Sequence, residues 1–126
     1  MRKLFLVIVV LLISAPALAQ QASPTDKFTW DQVGANLAQV QGYRYEVEMD
    51  GGAPATVTTT CTGTASPFTC SAPIPAVTPA SHTARIRAVD ISVPATPMAG
   101  GFSLPFTFTM RAVPGVPLNI RIVPGS

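Results

Sequence analysis

Residues that could carry out catalysis are few in this chain of 126 residues. His82 is the only histidine, and no serine and aspartate are spaced around it in a way that supports a Ser-His-Asp triad. We therefore interpret His82 as a residue that caps a turn. Glu46 and Glu48 lie two residues apart and share one face of a strand, as a glycosidase pair would, but this spacing is also typical of a solvated strand face. We predict no catalytic residue and no enzymatic activity.

Metal ligands are equally scarce, and nothing in the sequence indicates a cofactor. Asp50-Gly51-Gly52 is a turn without the additional oxygen ligands that a calcium loop requires. A zinc site usually needs four ligands, whereas the chain has two cysteines and one histidine. We predict neither a metal ion nor a cofactor.

The N-terminus has the pattern of a secretory signal peptide over residues 1–19. Arg2 and Lys3 precede an apolar run of ten residues, and Ala17-Leu18-Ala19 supplies a cleavage pattern of small residues. A transmembrane helix would need about 20 apolar residues. We expect a secreted or periplasmic protein with no integral membrane segment after cleavage.

Export affects the interpretation of the two cysteines and of the charge. Cys61 and Cys70 are expected to form one disulfide in an oxidising compartment; a metal site and a redox pair are the alternatives, although the latter usually has Cys-x-x-Cys spacing. Loss of Arg2 and Lys3 leaves six basic and six acidic residues. A neutral domain with few basic residues argues against nucleic acid and anionic membranes as partners.

The elements that must position any site are short strands. Alternating apolar and polar residues, divided by Pro and Gly, predict strands at 27–31, 43–49, 56–61, 68–74, 83–90, 104–111 and 118–122. About seven short strands favour an all-β fold, a single antiparallel β-sandwich. We expect Arg85 and Arg87 to pair across strands with Glu46 and Glu48. The predicted core comprises Phe28, Trp30, Tyr43, Tyr45, Val47, Ile86, Phe106 and Phe108.

Several segments, in order, resemble the fibronectin type III domain of the immunoglobulin-like superfold. They are Phe28-Thr29-Trp30, Gly42-Tyr43-Arg44-Tyr45-Glu46-Val47, the turn Ile74–Thr83, and Ile86-Arg87-Ala88-Val89-Asp90. The resemblance implies a sandwich over residues 27–113 with Trp30 in its core. It also implies that the Cys61–Cys70 bridge would join the fourth and fifth strands of the family.

The chain departs from that family at three points. His82 stands where the family has a corner tyrosine, and the cysteine pair is not a family hallmark. Residues 20–26 form a short polar segment where the family's first strand should lie.

Residues 114–126, in contrast, look like a first strand at the wrong end of the chain. They form a linker to a second repeat or a plain tail, fold back in cis onto the missing edge, or insert into a neighbouring subunit as a donor strand. The apolar residues of such a strand would be Leu118, Ile120 and Ile122.

Two long connections, 31–42 and 91–101, would meet at one end of such a sandwich and offer an apolar rim for protein contact. The alternative is that their apolar residues fold down over the core; these are Val33, Leu37, Val40, Ile91, Val93 and Met98.

Three functions remain open from the sequence. The first is a secreted, non-catalytic module that acts through protein–protein binding or adhesion. The second is a structural subunit that self-assembles through its C-terminal strand, and the third is a carbohydrate-binding accessory module.

Overall fold

The computed structural model describes residues 20–125, so the predicted signal peptide lies outside the described residues. Nine strands and one short helix follow in chain order: β1 (Gln20–Ala22), β2 (Lys27–Gln32), α1 (Leu37–Gly42), β3 (Arg44–Met49), β4 (Ala55–Val57), β5 (Thr60–Thr62), β6 (Phe68–Pro73), β7 (Ser81–Asp90), β8 (Met98–Ala99) and β9 (Phe106–Met110).

The strands form two sheets, which confirms the predicted all-β sandwich. The larger sheet has the order β1-β9-β7-β3-β4, with β8 also paired to β7, and the smaller sheet has the order β2-β6-β5. All pairs are antiparallel except β1 with β9, which is parallel.

The pairing of β3 with β7 agrees with the alternating charges that predicted it from the sequence. Glu46 lies opposite Arg87, and Glu48 lies opposite Arg85. The nitrogen–oxygen distances are 2.7 Å and 2.6 Å respectively, so the predicted cross-strand ion pairs are confirmed. Alternate residues of β3 consequently point into the sandwich, including the buried Tyr45 and Val47.

The core consists of two groups of buried residues. We call the first the disulfide cluster, and it comprises Val40, Tyr45, Cys61, Phe68 and Cys70. We call the second the Phe108 cluster, and it comprises Ala22, Phe28, Val47, Ala84, Phe108 and Met110. The half-buried Trp30 packs against both clusters.

Most residues predicted for the core lie in or against these clusters. Phe28, Tyr45, Val47 and Phe108 are buried, while Tyr43 and Ile86 are half-buried against them. The prediction for Phe106 is wrong, because its side chain is 44% exposed. Phe106 shares the alternation of the buried Phe108 and Met110, but it is the first residue of β9 and remains exposed.

The disulfide prediction is also confirmed. Cys61 of β5 and Cys70 of β6 are directly opposite partners in the strand register. Their sulfurs are bonded and their Cα atoms lie 4.0 Å apart. The bridge therefore joins β6, the neighbour of β2, to β5 at the other edge of the smaller sheet.

Five elements differ from the sequence-based expectation. The strand predicted over 118–122 is wrong, strand β8 was not predicted, and the other three differences concern residues 56–61, α1 and β1. The single strand predicted over 56–61 is wrong: it is divided into β4 and β5, which belong to different sheets. Helix α1 was not predicted, since one and a half turns are too short to give a helical period. Asn36 caps it, with its side-chain oxygen accepting a hydrogen bond from the Gln39 amide at 2.9 Å. The N-terminal segment forms strand β1, although its composition is polar.

Candidate functional site

Strand β2 has an unpaired outer edge in the part of the chain that the structure describes. It pairs only with β6. The Ile74 amide bonds the Asp26 carbonyl at 3.5 Å, and hydrogen-bonded positions alternate along an antiparallel pair. Residues 28, 30 and 32 therefore direct their backbone groups toward β6. Lys27, Thr29 and Asp31 direct theirs toward the open edge.

The edge is open because the N-terminal segment pairs elsewhere. Gln20 to Ala22 align with Phe108 to Met110 of β9, in the larger sheet. The chain then crosses between the sheets in a turn in which the Asp26 amide donates to the Ser23 carbonyl at 3.0 Å. Strand β1, which could have covered the edge of β2, therefore pairs with β9.

A groove of about 780 Å³ lies between β2 and the β1–β9 side of the larger sheet. Its floor is formed by Phe28 and Phe108, whose rings meet edge to face with centroids 5.5 Å apart. Its lining includes Leu104, which is 88% exposed, and the partly exposed Phe106. The groove is therefore a gap in the sandwich with an apolar floor, and the described residues leave it open. Polar residues also line it, and these are Gln20, Gln21, Asp26, Lys27, Thr29 and Ser103.

Trp30 also lines this groove. Its indole nitrogen is buried and has no hydrogen-bond partner among the described residues. The resemblance to fibronectin type III domains implied a core tryptophan, and Trp30 does pack against both clusters. Its remaining exposure faces the groove, because no strand lies outside β2.

The C-terminal segment has the composition of a strand but does not form one. Residues 111–125 have no helix or strand, and Leu118, Ile120 and Ile122 are 80%, 91% and 97% exposed. Asn119 adopts a positive φ of 53°, which interrupts an extended conformation. The cis alternative, in which this segment fills the missing edge, is thus not the arrangement found here.

The two long connections do meet at one end of the sandwich. Helix α1 and residues Ile91 and Ser92 border a smaller cavity of about 280 Å³. Val40 is fully buried and Leu37 is half-buried, so for these two residues the exposed rim is wrong and the alternative, in which they fold over the core, is confirmed: α1 turns them inward. The rim residues that are exposed are Val33, Ile91, Val93 and Met98.

His82 caps the turn before β7, as its predicted role required. Its Nε2 lies 2.7 Å from the Thr78 carbonyl oxygen, and its Nδ1 lies 2.7 Å from the Asp50 carboxylate. The hydrogen bond that His82 Nδ1 donates to the Asp50 carboxylate raises the pKa of His82 and lowers the pKa of Asp50. Both ring nitrogens are used in these contacts, so the arrangement is that of a structural ion pair.

Over residues 20–125 there is no group of three or more His, Cys, Asp or Glu placed to hold a metal ion. The same residues contain no helix that is long and apolar enough to cross a membrane.

Sequence reasoning missed Leu104 and the exposure of Phe106. Both belong to an alternating run that continues through Phe108 and Met110, and this run predicts inward positions for all four residues. One feature of the sequence does indicate the groove. No first strand is predicted next to β2, and such a strand would cover Leu104 and Phe106 at the start of the run.

The groove, the open edge and the exposed apolar tail are thus the features of this molecule with binding potential. Comparison with protein-family models, with curated proteins and with solved structures found no match for this chain.

Proposed function

We propose that this protein is an exported, non-catalytic binding module that acts by accepting an extended polypeptide strand. The observation that supports this most strongly is the coincidence of an open strand edge, β2, with an apolar groove that runs beside it. An added strand gains main-chain hydrogen bonds from the edge and places every second side chain in the groove.

The chemistry of the groove favours a protein ligand. Its floor consists of apolar side chains, and the edge offers the peptide groups of Lys27, Thr29 and Asp31. A strand in the groove would bury Leu104 and Phe106, which are otherwise costly to expose. No comparable set of exposed aromatic rings favours a carbohydrate ligand among the described residues.

Export is part of the proposal. The pattern of residues 1–19 is typical of an exported protein, and the Cys61–Cys70 disulfide is typical of an oxidising, extracytoplasmic compartment. The ligand is then an exported protein as well.

A display screen of random peptides tests this function. The bait is the chain without residues 114–126, because that segment would compete with the peptides. The matched bait carries Thr29→Pro, which removes a main-chain donor from the open edge but none from the bonds to β6. Thr29→Ala serves as the control that keeps the donor.

We expect enrichment of peptides with apolar residues at alternate positions. These peptides should bind the Thr29→Pro bait at least about tenfold more weakly than either other bait, a loss typical of one or two lost hydrogen bonds. The proposal fails if no peptide is enriched, or if the enriched peptides bind all three baits equally.

A further inference from the structure

We propose that the strand accepted at β2 is the C-terminal segment, residues 118–122, of a second copy of this chain. This inference rests on the proposed function and names the occupant of the same site. The chain would then assemble head to tail, with each copy giving its tail to the groove of the next.

The tail has the side-chain pattern that the groove requires. Leu118, Ile120 and Ile122 are apolar at every second position, and they are the most exposed large apolar side chains of the tail, together with Val116. Strand β2 has three inward positions at the same spacing, at residues 28, 30 and 32. Five residues in extended conformation span about 13 Å, which six-residue β2 can match along its length.

Main-chain chemistry agrees with the same placement. Residues 118–122 contain no proline, so every amide in the paired stretch can donate a hydrogen bond. Pro114 and Pro117 fall before the stretch, where they favour an extended connection without removing a donor that pairing needs.

The polar residues of the tail fit the solvent side of the edge. When Leu118, Ile120 and Ile122 face the groove, Asn119 and Arg121 face outward beside Lys27, Thr29 and Asp31 of β2. Lys27 and Asp31 are both on this face, and opposite charges on neighbouring strands favour the registers that bring Arg121 closer to Asp31 than to Lys27.

The direction of the chain favours a second copy over the same molecule. Met110 at the end of β9 aligns with Ala22, and Ala22 is followed after a short turn by the start of β2. The tail therefore leaves the sandwich at the end where β2 begins. If it folded back on its own molecule it would run parallel to β2, whereas the tail of another copy can enter antiparallel and form the more stable ladder.

Insertion requires one local change of conformation. Asn119 must move from its positive φ of 53° to an extended conformation. Asparagine tolerates both the left-handed and the extended backbone conformation, so Asn119 is compatible with a free tail and with a paired strand. Because the donating and accepting surfaces differ, the contact is heterologous and produces chains or rings of subunits.

Two complementary variants test the inference by light scattering after gel filtration. The full-length sequence is exported into a bacterial periplasm and the mature chain is purified from it. Thr29→Pro keeps the tail but blocks the edge, and Ile120→Asp keeps the edge but places a charge in the groove. The matched controls are Thr29→Ala and Asn119→Ser, which leave the edge donor and the groove-facing side chains in place.

We expect oligomers of the native chain and of both controls at concentrations where each blocked variant is a monomer. Ile120→Asp should weaken association at least about 30-fold, as the loss of a central apolar anchor does. An equimolar mixture of the two blocked variants should form a dimer that does not grow further, because only one donor and one acceptor remain.

Three results would overturn the inference: a native chain that is monomeric up to its solubility limit, oligomers that persist in both blocked variants, or a mixture that stays monomeric. Thermal unfolding of each variant shows whether it is folded, and Ile120→Asp lies outside the sandwich, so it serves as the test if Thr29→Pro unfolds. If peptides bind at β2 in the display screen while the native chain is monomeric, the proposed function stands and only this inference fails.

Discussion

The disulfide cluster and the Phe108 cluster show two ways of ending the same core. Helix α1 covers the disulfide cluster, where it contacts β5. The five residues of the cluster are at most 3% exposed. In the Phe108 cluster the sheets diverge beside β2, and Phe106 and Leu104 remain exposed at the groove.

The contrast indicates which region is held together by additional stabilising contacts and which region has space for a partner. The disulfide cluster has a cross-link, a capped helix and a buried tyrosine hydrogen bond. The Phe108 cluster has none of these in the described residues, and the groove beside it is large enough for several side chains.

The largest effect should come from comparing the same truncation in the disulfide cluster and at the groove beside the Phe108 cluster. Phe68→Ala removes a side chain that is 2% exposed, and we expect it to lower the free energy of unfolding by about 3–5 kcal/mol. Phe106→Ala removes a side chain that is 44% exposed, so about 1–2 kcal/mol is expected from its smaller loss of burial. Urea unfolding of both variants as monomers measures the difference; equal losses would show that Phe106 at the groove is packed as tightly as Phe68 in the disulfide cluster.

Removing the cross-link should have the next largest effect. The cysteines are nine residues apart, and closing a loop of this size stabilises the fold by about 3 kcal/mol in the chain-entropy model. Cys61→Ala with Cys70→Ala should therefore lower the urea midpoint markedly. Cys70 pairs with Trp30 on the β6 side of β2, which is the side away from the open edge. Peptide binding at that edge should therefore stay within about twofold, a change well below 1 kcal/mol; loss of peptide binding in a folded variant would show that the bridge also positions β2.

A smaller effect is expected from the tyrosine that holds α1 in place. The Tyr45 hydroxyl donates to the Val40 carbonyl at 2.7 Å, so Tyr45→Phe leaves that buried acceptor without its donor at a cost of about 1–2 kcal/mol.

The pKa of Tyr45 gives this contact a pH dependence. Burial, and then the neighbouring Tyr43, raise the pKa of Tyr45 to about 12. The unfolded chain ionises near pH 10, so the native protein should lose stability between pH 10 and pH 12. The Tyr45→Phe variant should lack this contribution, and an unchanged pH profile would show that the hydroxyl is not buried.

The smallest effect concerns the contact between His82 and Asp50 at the start of β7, where the His82 ring also lies beside Phe108 with centroids 5.9 Å apart. The raised pKa of His82 makes its contribution full below about pH 6.5, the unfolded value, and lost as the pH rises through the folded value. The lowered pKa of Asp50 makes its contribution full above about pH 4 and lost as the pH falls through the folded value.

The stability difference between the native chain and His82→Gln should thus be greatest between about pH 4 and pH 6.5. Urea unfolding across this range measures it. A difference that is constant with pH would mean that the contact acts only as a neutral hydrogen bond.

The sequence predicted the parts of the fold that repeat a simple pattern. Alternation located β2, β3, β6, β7 and β9, and the charges of β3 and β7 predicted their pairing. The export pattern led to the disulfide. Each of these rests on local chemistry or on one pair of facing residues.

What the sequence did not predict depends on contacts between distant segments. The polar Gln20–Ala22 has no strand pattern, and it becomes β1 because β9 offers it a partner edge. The sequence predicted Val40 either in an exposed rim or folded over the core, and the unpredicted helix α1 places it in the disulfide cluster. The groove follows from the position of β1, so it could not be seen in any single segment.

The most direct test of the open edge is amide hydrogen exchange at Thr29, followed by NMR. Our account predicts that the Thr29 amide exchanges slowly in the full mature chain, where a second copy's tail covers it, and at least about 100-fold faster when residues 114–126 are deleted, because an unpaired edge amide is open to water. The Trp30 amide, which is directed toward β6, should remain protected in both proteins. Equal exchange of the Thr29 amide with and without the tail would contradict the account.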